Sequence, residues 1–284
     1  MRPEQTKIKV ILNADDYALS PAISRSILDL IEGQRLSATS VMTASPFWRD
    51  WGRAISGYAG VVDVGLHFSL TEFEPLSGYK TIGGSTASRS FGGVVLRAGL
   101  GMISRQEIRS ELFRQWDAFV DSVGRPPSHI DSHQHIHQLP GIREPLISAI
   151  KEIGGNVPPY IRTCSEDIAT ILLRRVCRAR AILLSAAGRK LGSLATDNGL
   201  AINTGFSGIY NFGSEYDYCS LMSNFLTRPK LNTILLCHPG HPDAQYALDP
   251  IANARMSEYG FLSSARFLEM LDEKMVRLGR FAEP

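Results

Sequence analysis

The sequence has few cysteines and no long hydrophobic run. Its four cysteines show neither CxxC spacing nor the density of a disulfide-stabilised scaffold, so we expect reduced thiols. No stretch of about 18 apolar residues occurs that could cross a membrane, and the N-terminal segment lacks the apolar core of a signal peptide. These absences predict a cytoplasmic protein without disulfides.

The sequence also lacks an excess of charge of one sign. It has 30 basic and 28 acidic residues, a formal net charge of +2, which provides no field that would gather nucleic acid. The 284 residues, 44% of them hydrophobic, can bury a large core. Because no internal repeat or linker divides the sequence, we expect a single domain over residues 1–284. The balanced charge predicts that the protein has no nucleic-acid partner.

Short apolar runs alternate with helical patterns along the chain. The predicted strands are residues 7–14, 37–43, 61–66, 129–132, 160–163, 200–204 and 232–237. The predicted helices are residues 21–32, 48–55, 105–123, 142–153, 168–190, 214–226 and 264–278. Ser20 before Pro21, and Ser104 with Glu107, are typical helix N-terminal signals, and Ser214 is a third predicted cap. Seven βα units imply parallel strands, in either a doubly wound sheet or a barrel of about seven strands.

The glycine-rich segment 77–101 interrupts this alternation. It shows no clear periodicity and follows the third predicted strand, where loops of parallel sheets often carry function. A long loop at this place is either a substrate-gating element or a tolerated surface insertion.

Polar side chains follow four of the predicted strands. They are Asp15 and Asp16, His67, the segment 131–137 and the segment 237–241, and six of the seven histidines lie in the last three places. Because the carboxyl ends of parallel strands meet, these side chains are expected to converge. A single histidine at a strand end more often satisfies a backbone carbonyl. A carboxylate with two imidazoles, however, is a recurring ligand set for Zn²⁺ or a related ion.

The adjacent carboxylates of Asp15 and Asp16 can take two different roles, one as a metal ligand and one as a base. At a strand end one can turn to a metal while its neighbour reaches bound water. The alternative is an Asx turn or a cap for the first helix.

The histidines of segment 131–137 are spaced two residues apart. His133 lies nearest the strand end and is the expected ligand, whereas Asp131, His135 and His137 are expected to shape the pocket or to support the ligands.

Four motifs together resemble the YdjC-like family of carbohydrate deacetylases. They are NADDYALS, GLHFSLT, HIDSHQHIH and LLCHPGH, they occur in the order typical of the family, and the resemblance spans about residues 8 to 262. It implies an α/β fold, a (β/α) barrel of about seven parallel strands related to the polysaccharide-deacetylase barrel. It also implies hydrolysis of an acetamido sugar that releases acetate and depends on one divalent ion, Mg²⁺ or Zn²⁺.

The resemblance also assigns roles to residues. The metal ligands would be Asp16, His67 and His133, and the base would be Asp15. By similarity to the wider polysaccharide-deacetylase group, His238 would protonate the departing amine.

Four further residues are expected to contact the substrate or to shape its pocket. They are Asp131, His135, His137 and Arg162. For Arg162, which lies near the end of the fifth predicted strand, a surface ion pair is the alternative.

Other functions remain open from the sequence. A metal-dependent amidohydrolase or phosphoesterase also uses His and Asp at strand ends, but amidohydrolases usually take a His-x-His from the first strand, where this chain has two aspartates. A non-catalytic sugar-binding barrel would not need Asp15 beside Asp16. The basic helix 168–190 could contact anionic lipid, although a solvated outer helix is preferred, and a homodimer is left open.

Overall fold

A parallel sheet forms the centre of the computed structural model, which describes residues 7–78, 90–213, 215–242 and 249–283. The strands are β1 (Ile8–Tyr17), β2 (Ala38–Val41), β3 (Asp63–Phe68), β4 (His129–Ser132), β5 (Tyr160–Ile161), β6 (Gly205–Ser207), β7 (Thr233–Cys237) and β8 (Val276–Leu278). Seven of them follow the order β5-β4-β3-β2-β1-β7-β6, and β8 pairs with the beginning of β1.

The two outer strands of this order approach each other. Ile161 in β5 forms a parallel bridge with Ile202, just before β6, and its N–H donates to the carbonyl of Ala201 at 2.8 Å. The sheet therefore curls into a barrel. This confirms the predicted (β/α) barrel with about seven parallel strands and excludes the open doubly wound sheet.

Helices surround the barrel. They are α1 (Pro21–Glu32), α2 (Trp48–Ser56), α3 (Phe91–Gly99), α4 (Arg105–Val123), α5 (Arg143–Ile153), α6 (Ile168–Arg174), α7 (Arg178–Asp197), α8 (Tyr218–Phe225), α9 (Ala252–Ser263) and α10 (Ala265–Glu273), with a 3₁₀ segment at His133–Gln138. The predicted caps Ser20 and Ser104 accept hydrogen bonds from Ile23 N–H and Glu107 N–H. Among the described residues, no helix is long and apolar enough to cross a membrane.

Apolar stripes of these helices pack against the strands. In α4 the stripe includes Ile108, Leu112 and Phe119, all fully buried, and α1 contributes Ile23 and Ile27. Each such side chain contributes about 1.5–3 kcal/mol when it leaves water. The core between barrel and helices thereby fixes the strand ends on which the polar residues lie.

The predicted helix 168–190 is two helices instead of one. Arg175 and Cys177 have φ angles of 57° and 39°, which interrupt the helix between α6 and α7. Arg174 is buried, pairs with Glu166 at 2.9 Å and donates to the carbonyl of Phe206 at 2.8 Å. These tertiary contacts override the helical pattern.

The segment 77–101 is not simply a loop, because it contains α3. Ser90 caps this helix by accepting from Gly93 N–H, and Val94 and Ala98 are buried one turn apart. Its glycines lower the helix propensity of the segment, so the sequence alone did not indicate this helix. Residues 79–89 of the predicted loop lie outside the described residues.

The C-terminal part also differs from the prediction. The helix expected over residues 264–278 ends at Glu273, and the following chain forms β8, whereas α9 was not predicted. The helix expected from residue 214 begins at Tyr218 with Asp217 as its cap, and Ser214 lies outside the described residues.

Candidate active site

A cavity of about 840 Å³ opens at the carboxyl ends of the strands. Its walls include Asp15, Asp16, His67, His133, His135 and His238, together with Glu72, Arg180, Tyr210 and Arg255. Six of the residues predicted from the sequence thus share one cavity.

A bulge in β1 lets two consecutive carboxylates face the same cavity. The strand continues through Asp15 and Asp16, where its register with β2 shifts between Ala14 and Tyr17. Asp16 has a φ of 68°, in the left-handed region that Asp tolerates better than most residues. The alternative of a helix cap is wrong, because Ser20 caps α1.

Asp16, His67 and His133 meet in this cavity. Nδ1 of His133 lies 3.0 Å from Oδ1 of Asp16, and Nε2 of His67 lies 3.5 Å from the same oxygen. Burial acts to raise the pKa of Asp16, but Arg255 and His133 outweigh it and hold that pKa well below its usual value. The structure therefore brings the three predicted ligands together, with their ligand atoms within 4.8 Å of one another.

Asp131 orients the ring of His67. Its Oδ1 lies 2.6 Å from Nδ1 of His67, which leaves Nε2 directed at Asp16. Burial acts to lower the pKa of His67, but Asp131 and Asp15 raise it to about 10. The carboxylates around this ring thus favour positive charge at its position, as a cation site requires.

A second cluster of possible ligands does not suit a cation. It consists of Asp15, His67 and Asp131. Arg162 already places its guanidinium between the two carboxylates, with Nη1 2.5 Å from Asp15 Oδ1 and 3.0 Å from Asp131 Oδ2. A metal ion there would face this positive charge, so the cluster around Asp16 is the better fit.

The hydrogen bonds of Asp15 leave one lone pair on one of its two oxygens. Oδ1 accepts from Arg162 Nη1 at 2.5 Å and from Asn13 Nδ2 at 2.7 Å, whereas Oδ2 accepts from Arg162 Nη2 at 2.8 Å. Since each carboxylate oxygen has about two lone-pair sites, Oδ2 keeps one. It lies 3.9 Å from Nε2 of His67.

Three residues expected to contact substrate are instead enclosed by protein. Asp131 and Arg162 are buried beneath His67 and Asp15, so the surface ion pair considered for Arg162 is wrong. His137 contacts Ser132 Oγ through Nδ1 and the Arg162 carbonyl through Nε2. This placement suits support of the site and does not suit direct substrate contact.

His135 and His238 do line the cavity. Burial lowers the pKa of His238 to about 4 and the pKa of His135 well below its usual value. His238 follows β7, and its backbone N–H donates to the buried carboxylate of Glu258 at 2.5 Å. Its ring is therefore neutral near pH 7, whereas the acid role expected from the sequence needs an imidazolium.

Sequence reasoning missed several charged residues of the cavity, among them Arg255 and Glu72. Arg255, on α9, donates to Asp16 Oδ2 at 2.7 Å and to Asp249 Oδ2 at 2.7 Å. Glu72 has Oε2 3.7 Å from Nε2 of His133. Arg255 lies 239 positions from its partner and has no local signal, whereas Glu72 follows β3 closely enough that the strand-end argument could have included it.

The fold and these contacts define the class of the protein. It is an α/β barrel with a carboxylate and two imidazoles clustered at the carboxyl ends of its strands. The family model described as YdjC-like protein matches residues 9–273. The chain belongs to this family, as the four motifs indicated.

Relatives of known name match almost the whole chain. It is 27% identical to the chitooligosaccharide deacetylase of Serratia marcescens over 274 residues, which cover 96% of this chain and 98% of that protein. It is also 27% identical over 278 residues to a chitooligosaccharide deacetylase of Yersinia pestis (strain Pestoides F), with the same coverage of both chains.

Solved structures share the fold. A crystal structure from Enterococcus faecalis, described as a candidate cellobiose-phosphate cleavage protein, has a TM-score of 0.70 at 18% identity and covers 97% of this chain and 98% of its own. A peptidoglycan N-acetylglucosamine deacetylase has a TM-score of 0.51 at 11% identity, with 97% and 86% covered. Both are similar in architecture to this chain.

Proposed function

We propose that this protein is a carbohydrate deacetylase that hydrolyses the N-acetyl group of an acetamido sugar and releases acetate. The observation that carries the proposal is the convergence of Asp16, His67 and His133 in one cavity, beside Oδ2 of Asp15, which keeps one lone pair besides its contact with Arg162. Named relatives that match along the whole chain support the deacetylase class. We further propose that residues 1–284 form one catalytic domain, in keeping with the family match over residues 9–273.

Asp16, His67 and His133 would hold one divalent ion, Mg²⁺ or Zn²⁺. The fit rests on Oδ1 of Asp16, which both imidazoles approach while Arg255 occupies Oδ2. The bound ion would supply a Lewis acid for the acetyl carbonyl and make water more acidic. Asp131 keeps the His67 ring in the orientation that such a site needs, as carboxylates commonly do for ligating histidines.

Asp15 is the proposed general base. Arg162 grips both of its oxygens and thereby fixes the plane of the carboxylate, so the remaining lone pair of Oδ2 points from a constant position. A base held within reach of the attacking water contributes about 10²–10⁴ in rate. Arg162 is thus a positioning residue, and its burial keeps water from competing for the carboxylate.

His238 is the proposed acid for the departing amine. Because its ring is neutral near pH 7 in the free protein, it must first receive a proton, and the proton that Asp15 removes from the attacking water is the one that the reaction itself supplies. An amine leaves poorly unless it is protonated, whereas a phenolate leaves without help. His238→Ala should therefore lower kcat for an acetamido sugar much more than for 4-nitrophenyl acetate; equal losses would contradict the acid role.

The central experiment measures acetate release from N-acetylglucosamine oligomers by the purified protein loaded with Mg²⁺ or Zn²⁺. His133→Ala should lose bound metal and turnover together, whereas Asp15→Asn should keep the metal and lose about 10²–10⁴ of kcat. His241→Ala is the matched control, because His241 belongs to the same motif as His238 but is exposed outside the cavity lining. Absence of acetate release from every acetylated sugar would overturn the proposal, as would full metal content and activity in His133→Ala.

A further inference from the structure

Helices α6 and α7 cover one side of the barrel next to the cavity. Their inner residues, among them Ile171, Leu191 and Ala195, are buried against the protein. Arg180, in the first turn of α7, lines the cavity and donates to the carbonyl of Tyr210 at 3.3 Å. The outer surface of this helix pair therefore adjoins the cavity mouth.

This outer surface exposes large apolar side chains. Ile168, Leu172 and Leu173 of α6 are 45%, 47% and 46% exposed, and Leu183 of α7 is 73% exposed. A solvated outer helix would place polar residues at such positions. Four exposed branched apolar side chains on two contacting helices instead indicate a surface that binds an apolar partner or a membrane.

Between Asp167 and Asp197, two exposed aspartates at the ends of this helix pair, all charged residues are basic. The sequence from residue 168 to residue 196 contains no Asp or Glu. Its exposed basic residues are Arg175, Arg178, Arg180, Arg189 and Lys190. We name the exposed apolar residues of α6 and α7, together with these five, the basic face. Its charge is complementary to an anionic surface, although the whole chain has a net charge of only +2.

We propose that the basic face docks on an anionic phospholipid bilayer. Leu183 is 73% exposed, and a bilayer accepts an exposed leucine without the matching pocket that a rigid protein partner would need. Arginine and lysine suit the same boundary, because their aliphatic stems can lie along the acyl region while their charged ends reach the headgroups. Because Arg180 belongs to the basic face and also lines the cavity, docking in this way would place the cavity mouth near the membrane surface.

The inference stands independently of the proposed function, since it is tested by binding alone. The purified full chain is sedimented with vesicles of phosphatidylcholine, with and without about one-third phosphatidylglycerol, at low and high salt. We expect binding to the anionic vesicles that salt weakens, and little binding to neutral ones.

Two variants separate the apolar and basic parts of the basic face. Leu183→Asp should weaken binding about tenfold or more, as removal of one buried leucine predicts. Its control is Val157→Asp at a position that is 84% exposed, outside the basic face. Arg175→Gln with Arg178→Gln should also weaken binding, whereas Arg49→Gln with Arg53→Gln removes the same charge from α2 and should not.

Several outcomes would overturn the inference. One is no binding to anionic vesicles at low salt by a protein whose far-UV spectrum is folded. Another is equal loss of binding in Leu183→Asp and in its control. A third is sedimentation velocity that shows a dimer which Leu183→Asp dissociates, because the basic face would then be an interface between copies of this chain.

Discussion

Glu258 makes the stability of the protein depend on pH in a defined window. The side chain is fully buried on α9, accepts from Tyr210 Oη at 2.5 Å and from the backbone N–H of His238 at 2.5 Å. Burial raises its pKa from 4.5 to about 7, even though Tyr210 and the His238 N–H favour the charged form. Between these two pH values the folded protein binds more protons at this site than the unfolded chain.

The magnitude follows from this shift. Stability contributed by the protonated form is complete below the unfolded pKa of 4.5 and is lost as pH rises through about 7. At 1.36 kcal/mol per unit, a rise from 4.5 to about 7 corresponds to about 3 kcal/mol. Glu258→Gln imitates the protonated carboxyl, because its amide can accept from the His238 N–H and donate to Tyr210 Oη, and it does not titrate.

Urea unfolding of the wild-type protein and of Glu258→Gln at several pH values between 5 and 8 tests this pH dependence. The difference in free energy of unfolding, Glu258→Gln minus wild type, should grow by roughly 2–3 kcal/mol in favour of the variant across this range. Glu269→Gln, on the exposed surface of α10, is the control and should give a flat difference. A flat difference for Glu258→Gln as well would refute the reasoning.

Three further substitutions test the packing and the ion pairs of the site. Gly65→Ala would place a Cβ 2.3 Å from the buried ring of His129, so we expect a loss of roughly 1–3 kcal/mol in thermal or chemical unfolding; unchanged stability would contradict this contact. Asp131→Asn should weaken metal binding about 10–100-fold by calorimetry, because His67 loses its orienting carboxylate; an unchanged affinity would remove that role. Arg162→Met should cost about 3–5 kcal/mol of unfolding free energy, because it removes the guanidinium that the buried carboxylates of Asp15 and Asp131 share; unchanged stability would contradict the importance of this pairing.

The strand pattern and the helix caps made much of the barrel predictable. Apolar runs ending in polar residues located β1, β3, β4 and β7, and Ser104 located the start of α4. The break between α6 and α7 was not predictable, because it depends on the buried contacts of Arg174 with distant residues. A local sequence pattern indicates the secondary structure that a segment favours in isolation. Tertiary contacts determine at which residue the helix or strand ends.

The candidate site was likewise predictable in part from local sequence patterns. Strand ends were sufficient to expect Asp15, Asp16, His67 and His133 close together, because parallel strands place their carboxyl ends together, and the family resemblance proposed Asp16 as the ligand of the two aspartates. They could not reveal which polar residues face the cavity and which lie beneath it. Arg162 follows a strand like the others, yet its guanidinium points inward to Asp15, where only the folded barrel supplies partners.

The backbone of Asp16 restricts how this site can change during evolution. Its φ of 68° is accessible at low cost to Asp, Asn and Gly, and strained for nearly every other residue. Of these three, Asp alone offers a carboxylate. A relative that keeps the barrel but has lost the proposed metal ligand is therefore expected to carry Asn or Gly at this position, and the residue at this one position of an aligned sequence would identify it.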